Sequence, residues 1–195
     1  LTTISRTSAA LFAALALAAC EGEAPKFRST DITGADYGKS LALTDHRGKA
    51  RRLEDFRGKA VVLFFGFTQC PDVCPTTLAD MAQVMRVLGP LAERVQVLFV
   101  TVDPERDTQE VLAKYVPAFD ARFLGLRGDL DETRAAAMEF KVYFEKRPGK
   151  TPGEYSIDHS AQTYVFDPEG RLRLFVRHAR IAQDLAADLR TLLQS

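Results

Sequence analysis

Apolar residues fall into a few distinct patterns along this chain. From Ala9 to Ala19 they run almost unbroken, AALFAALALAA. Leu41 to Leu53 reads LALTDHRGKARRL, two short alternating runs around Asp45-His46-Arg47-Gly48, which predicts a β-hairpin. Asp55 to Lys59 is a turn. Val61 to Phe67 (VVLFFGF) and Val95 to Val102 (VQVLFVTV) are continuous and rich in β-formers, as in strands buried on both faces. Thr76 to Leu88 has helical spacing, with Leu78, Met81, Ala82, Met85 and Leu88 on one face. Asp107-Thr108-Gln109-Glu110 has capping-box spacing and predicts a helix to about Val116. A short strand over Arg122–Leu126 and a short helix over Asp131–Phe140 follow. Residues 145–154 (EKRPGKTPGE) read as a turn-rich loop. Gln162–Phe166 and Leu172–Val176 predict a hairpin around Asp167-Pro168-Glu169-Gly170, and Ile181–Leu193 a closing amphipathic helix.

The order is hairpin, β, α, β, α, β, α, β, β, α. Buried strands alternating with helices predict an α/β fold, a central mixed sheet flanked by helices with an N-terminal β-hairpin. A strand running into a cysteine pair at a strand-to-helix turn, with a closing β-β-α unit, describes a thioredoxin-like plan. In such sheets chemistry collects beyond the carboxyl ends of the strands. Cys70 and Cys74 lie just past one such end and Asp103 just past another.

The first apolar run is a different kind of segment. As a helix it would span about 16 Å, against a bilayer core of roughly 30 Å. With Arg6 ahead of it, it reads as a secretory h-region. It ends in Leu17-Ala18-Ala19-Cys20, which resembles the bacterial lipobox and implies lipid attachment at Cys20. We therefore expect a lipoprotein signal peptide over 1–19, a tether and irregular entry over 20–38, and one domain over 39–195. The expected location is the bacterial cell envelope, held to the membrane by the Cys20 lipid. The charge balance, 26 basic against 26 acidic residues, argues against a nucleic-acid partner.

Of three cysteines, a lipidated Cys20 would leave Cys70 and Cys74 as an isolated pair. A thiol at a helix N-terminus meets unpaired N–H groups and the positive end of the dipole, which favours a nucleophile or a metal ligand. On a regular helix, side chains four apart hold their Cβ atoms about 5–6 Å apart, wide for a disulfide, which wants roughly 3.5–4.5 Å. The spacing suits two thiolates on one metal, although Pro71 and Pro75 favour irregular backbone, so a Cys70–Cys74 disulfide remains open. Soft sulfur selects Cu(I), and an added imidazole also holds Cu(II). Three histidines are available. His46 sits in the hairpin turn and is expected to be solvated. His178 lies beside Arg177 and Arg180, a poor place for a cation ligand. His159 precedes the strand Gln162–Phe166, on the approach loop that faces the cysteine turn in a thioredoxin-like plan. Position alone leaves its role as a ligand undecided. There is no Pro between Pro152 and Pro168, so that loop lacks the proline of a thioredoxin substrate clamp.

Three spaced motifs carry a resemblance: Phe-Phe-Gly-Phe-Thr-Gln-Cys70-Pro-Asp-Val-Cys74-Pro, then Thr101-Val-Asp103-Pro-Glu-Arg-Asp-Thr108, then Asp158-His159-Ser160. Over nearly its whole mature length the chain resembles the Sco/SenC family of copper metallochaperones. The resemblance implies copper bound by Cys70, Cys74 and His159. It also implies a partner, the copper-site subunit of cytochrome c oxidase, served by copper delivery or by reduction of that site's thiols. A thiol–disulfide oxidoreductase using Cys70 and Cys74 is the competing function. His159 separates the two, because we expect it to enter only the metal state. A thiol peroxidase does not fit, since Thr68 lies two residues before Cys70 rather than three and position 63 is Leu. Asp103 reads as a strand-end acid that shapes a turn before Pro104, with tuning of the metal as the alternative. Asp158 reads equally as an acceptor orienting His159 or as a solvated acid.

Overall fold

The computed structural model describes residues 25–194; the expected signal peptide and Cys20 lie outside the described residues. The strands are β1 (Thr30–Asp31), β2 (Ala42–Asp45), β3 (Ala50–Arg52), β4 (Ala60–Gly66), β5 (Val95–Thr101), β6 (Leu124–Arg127), β7 (Phe144–Pro148), β8 (Tyr155–His159), β9 (Thr163–Phe166) and β10 (Leu172–Val176). The helices are α1 (Val73–Leu88), α2 (Gln109–Tyr115), α3 (Leu130–Glu139) and α4 (Ile181–Gln194). Eight strands form one mixed sheet in the order β1-β10-β9-β4-β5-β6-β2-β3, and β7 and β8 form a separate pair. This is the expected thioredoxin-like α/β architecture, with the β2–β3 hairpin at its edge.

The centre follows from the unbroken apolar runs. Every residue of β4 is buried, and β4, β5 and β6 run parallel with Phe64 opposite Phe99. Alternation sends neighbouring residues of β4 to opposite faces. Phe65 meets the Phe140 ring on one face, at 5.4 Å. Phe64 meets Phe99 on the other, at 6.2 Å. α1 and α4 pack on each other, and α4 also reaches β4.

Three local expectations change. Residues 145–148 are strand rather than loop, and only 149–154 form the turn: Phe144 to Pro148 pairs antiparallel with Tyr155 to His159. Pro148 ends β7, Gly149, Pro152 and Gly153 lie in the tip, and the charged, exposed β7 gives little apolar signal. α1 starts at Val73 rather than Thr76. Pro75 falls in the first turn, where a missing N–H costs no hydrogen bond. The second helix is capped by Thr108, whose side chain accepts from the Val111 N–H, while Asp107 turns into the core. The entry segment also contributes structure, since Thr30 and Asp31 pair with β10 at the sheet edge.

Gly66, the last residue of β4, ties the sheet to the cysteine helix. A Cβ there would lie 2.8 Å from a Phe99 ring carbon, 2.9 Å from the Cys74 sulfur and 2.9 Å from a Phe64 ring carbon. Only a residue without a side chain lets α1 sit this close to the strand. The substitution Gly66→Ala should therefore lower stability by about 1–3 kcal/mol through overpacking. Chemical denaturation checks it, and an unchanged midpoint would mean that this contact is looser than the distances require.

Candidate metal centre

The site forms where β4 ends and α1 begins. Cys70 lies in the turn before α1, and Cys74 is the second residue of that helix. The pair does not share a regular helix face. The Cys74 N–H, one of the orphan donors of the first turn, points at the Cys70 sulfur at 3.4 Å. Asp72, at the N-cap position, makes no side-chain cap bond, so a sulfur stands where a capping oxygen usually does. Both thiols are free. Cys74 is buried and Cys70 half-buried. Burial first, then the hydrogen bond and charge of neighbouring Cys70, pushes the Cys74 thiol well above its ordinary pKa.

His159 arrives from the other side as the last residue of β8. Strand alternation turns Tyr155, Ile157 and His159 inward and leaves Ser156 and Asp158 exposed. The imidazole sits edge-on to Phe67 at 5.7 Å and to Phe64 at 6.1 Å. Its Nδ1 lies 2.9 Å from the Ser160 carbonyl, an acceptor, so the proton belongs on Nδ1. The bare Nε2 then faces the Cys74 sulfur at 3.3 Å. Burial holds the His159 pKa below its usual value and keeps the ring neutral. The sulfurs of Cys70 and Cys74 and one His159 ring nitrogen all lie within 4.8 Å of one another.

The Thr101–Thr108 segment holds both halves of this site. The Asp107 carboxylate accepts from the Thr68 N–H at 3.1 Å, the Thr68 hydroxyl at 2.5 Å and the Thr101 hydroxyl at 2.6 Å. It thereby fixes the strand exit two residues before Cys70. Asp103, fully buried, accepts from the Tyr155 hydroxyl at 2.8 Å and pairs with Arg106. The Arg106 guanidinium stacks over the Tyr155 ring at 3.6 Å and donates to the Tyr155 carbonyl and to Gln69. Burial first, then the Asp103 hydrogen bond, pushes the Tyr155 phenol up to about 12.

Several expectations are corrected here. His46 is not solvated. It is 6% exposed, and its Nδ1 accepts from the Gly125 N–H at 3.0 Å, because β2 pairs with β6 as well as β3 and draws the hairpin turn against the sheet. Asp158 does not orient His159. It points outward and pairs with Arg147 at 2.8 Å. Asp103 shapes its turn, with its carbonyl accepting from the Arg106 and Asp107 N–H groups, and its carboxylate also grips the hairpin that carries His159. His178 is structural, its Nδ1 2.7 Å from the Thr77 hydroxyl. Tyr155, Arg106 and Asp107 were missed as supports of the site. The alternation Tyr-x-Ile-x-His over 155–159 was the available signal for a strand presenting Tyr155 and His159 on one face.

The fold and this site define a thioredoxin-like domain that brings a free dithiol and a neutral imidazole together at the carboxyl end of its sheet. The chain belongs to the SCO1/SenC family, whose model matches residues 29–194. It is 41% identical over 152 residues to the mitochondrial SCO2 homologue of Bos taurus, covering 77% of this chain and 57% of that protein. The chain thus spans less than two thirds of the length of that curated relative. It is 39% identical to Bradyrhizobium japonicum ScoI, solved with copper bound, with a TM-score of 0.74 over 81% of this chain and 99% of that one. To the apo Sco1 protein of Thermus thermophilus it is 40% identical, with a TM-score of 0.76 over 89% and 100% of the two chains.

Two outcomes test this geometry. Under native conditions a small alkylating reagent should modify half-buried Cys70 well before Cys74, which should react only on unfolding. Peptide mapping reads the order, and equal rates would contradict the burial of Cys74. The substitution Tyr155→Phe removes a hydrogen bond to a buried carboxylate and should cost about 1–3 kcal/mol. Amide exchange over β7 and β8 should speed up more than exchange over β4 and β5, and uniform behaviour would mean that Tyr155 does not hold the hairpin.

Proposed function

We propose that this chain binds one copper ion through the Cys70 and Cys74 sulfurs and His159 Nε2, and serves the dinuclear copper site of cytochrome c oxidase. The observation that carries the reading is the convergence of two thiols and a bare imidazole nitrogen within 4.8 Å. Three donors about 2.2 Å from one ion lie roughly 3.8 Å apart in a trigonal arrangement, so closure needs a shift under about 1 Å. Two soft sulfurs suit Cu(I), and the imidazole adds capacity for Cu(II). The copper-bound ScoI relative supports the metal. Copper is cargo here, passed to the oxidase's copper-site subunit.

The same dithiol supports a second reading, a thiol–disulfide oxidoreductase, because both sulfurs are free and adjacent. A Cys70–Cys74 disulfide would remove both sulfur donors, so oxidation and copper binding would compete. We further propose that Cys20 carries lipid and holds the domain at the outer face of a bacterial cell membrane. The support is the apolar run Ala9–Ala19 ending in Leu-Ala-Ala-Cys20. Among the described residues no helix is long and apolar enough to cross a membrane. Mass spectrometry of membrane-extracted protein should find a diacyl or triacyl peptide beginning at Cys20, and an unmodified peptide running through Ala19-Cys20 would overturn this.

Anaerobic Cu(I) loading of the domain should give one copper per chain, and Cu(II) loading a thiolate-to-copper band in the visible range. Cys70→Ser or Cys74→Ser should abolish that band, and His159→Ala should weaken copper at least tenfold. A full band in both cysteine variants would remove the site. Unchanged copper affinity in His159→Ala would favour the oxidoreductase. Because copper must displace the Cys74 proton, apparent affinity should rise with pH by about tenfold per unit for each proton released.

A further inference from the structure

Cations gather at the end of the sheet away from the sulfurs. The chain as a whole is balanced in charge, yet residues 47–59 carry six basic side chains against two acidic ones. β4, β5 and β6 run parallel, so their amino ends lie about 20 Å from the ends that face the cysteine turn. A cavity of about 420 Å³ opens there, beside Lys59 ahead of β4, Val95 at the start of β5 and Leu124 at the start of β6. Two fixed turns deliver charge to it. Gly48, at φ +81°, donates to the Asp45 carbonyl at 2.8 Å, and the Arg47 N–H donates to the Asp45 carboxylate at 2.9 Å. Gly58, at φ +86°, donates to the Pro168 carbonyl at 2.8 Å and pins the turn that carries Arg57 and Lys59.

The cations around the cavity are of two kinds. Arg51 and Arg122 each have a carboxylate, Asp45 at 2.7 Å and Asp120 at 2.6 Å. The two acids that line the cavity are also engaged: Glu93 pairs with Arg122 at 3.3 Å, and Asp55 accepts from the Arg52 N–H at 3.0 Å. The side chains of Arg47, Arg57 and Lys59 line the same cavity and make no hydrogen bond or ion pair among the described residues. Three like charges held around one concavity repel each other, and the repulsion stabilises no contact of the fold. An anion in the cavity would turn it into attraction.

We propose that this cavity binds a small anion through its phosphate groups. Arginine forks meet phosphate oxygens two at a time, and lysine adds a point charge. The pinned turns hold the three cations in place before the ligand arrives, which lowers the ordering cost of binding. The volume is in the range of small-molecule pockets. The phosphate can belong to a soluble compound or to a lipid headgroup, and the test separates these sources.

The test uses the metal-free full chain in a non-ionic detergent, with a chelator present and ionic strength held constant with chloride, so it is independent of the copper reading. Inorganic pyrophosphate should bind one to one by calorimetry and raise the denaturation midpoint. The double variant Arg57→Gln, Lys59→Gln should weaken that binding about tenfold or more, and Arg47→Gln, on the other turn, should weaken it as well. Without pyrophosphate these variants should match or exceed the wild-type midpoint, because a repelling charge is gone. Lower midpoints would overturn the proposal, since the cations would then be holding structure. Wild-type affinity in the double variant would overturn it too. Phosphatidylglycerol added to the micelles is the second probe. A variant-sensitive shift from pyrophosphate alone supports a soluble ligand, and one from phosphatidylglycerol alone a headgroup. No shift beyond chloride from either probe removes the site.

Discussion

Two buried carboxylates, Asp103 and Asp107, hold this site together. They follow β5 in one tight turn, and each grips a different ligand-bearing segment: Asp107 the Thr68 backbone and hydroxyl, Asp103 the Tyr155 hydroxyl with Arg106. Arg127 braces the turn from below by donating to the Pro104 and Asp107 carbonyls. Buried carboxylates persist only where donors satisfy them, so each fixes its partners as firmly as they fix it. Through this turn the cysteine loop and the histidine hairpin, distant in sequence and on different elements, share one anchor.

The candidate donor groups Cys74 and His159 carry little charge of their own. The Cys74 thiol is kept protonated by burial and the His159 imidazole neutral by the same cause. Neutral groups are cheap to bury, which reconciles a ligand set with an aromatic surround of Phe64, Phe67 and Phe99. The imidazole tautomer is fixed by the carbonyl of Ser160, the next residue, so the ring needs no outside carboxylate to aim it. Copper would supply the charge that draws the proton off the sulfur, and the pocket would then hold a metal–thiolate bond in place of a thiol.

Much of this was legible in the residues because the governing patterns are local. Continuous apolar runs specify strands buried on both faces, so β4 and β5 were readable, and helical spacing found α1. The cysteine spacing left the choice between metal and disulfide open, and it was the resemblance carried by three spaced motifs that made Cys70, Cys74 and His159 the candidate donors. What failed to show was decided by partners far along the chain. A capping-box pattern at 107–110 is a true local preference, yet Asp107 is turned inward by Thr68 and Thr101, and Thr108 caps instead. His46 reads as a turn residue until β6 arrives to bury it. The charged β7 strand carries no core signal, and the hairpin is held through β8, by buried Ile157 and by Tyr155 on the Asp103 carboxylate and Arg106. Local pattern sets which residues sit on which face of an element. Long-range packing and the need to satisfy every buried polar group set which elements meet. The sequence by itself determined which residues are candidate donors, Cys70, Cys74 and His159, and only the tertiary structure decided what holds them within reach of one another.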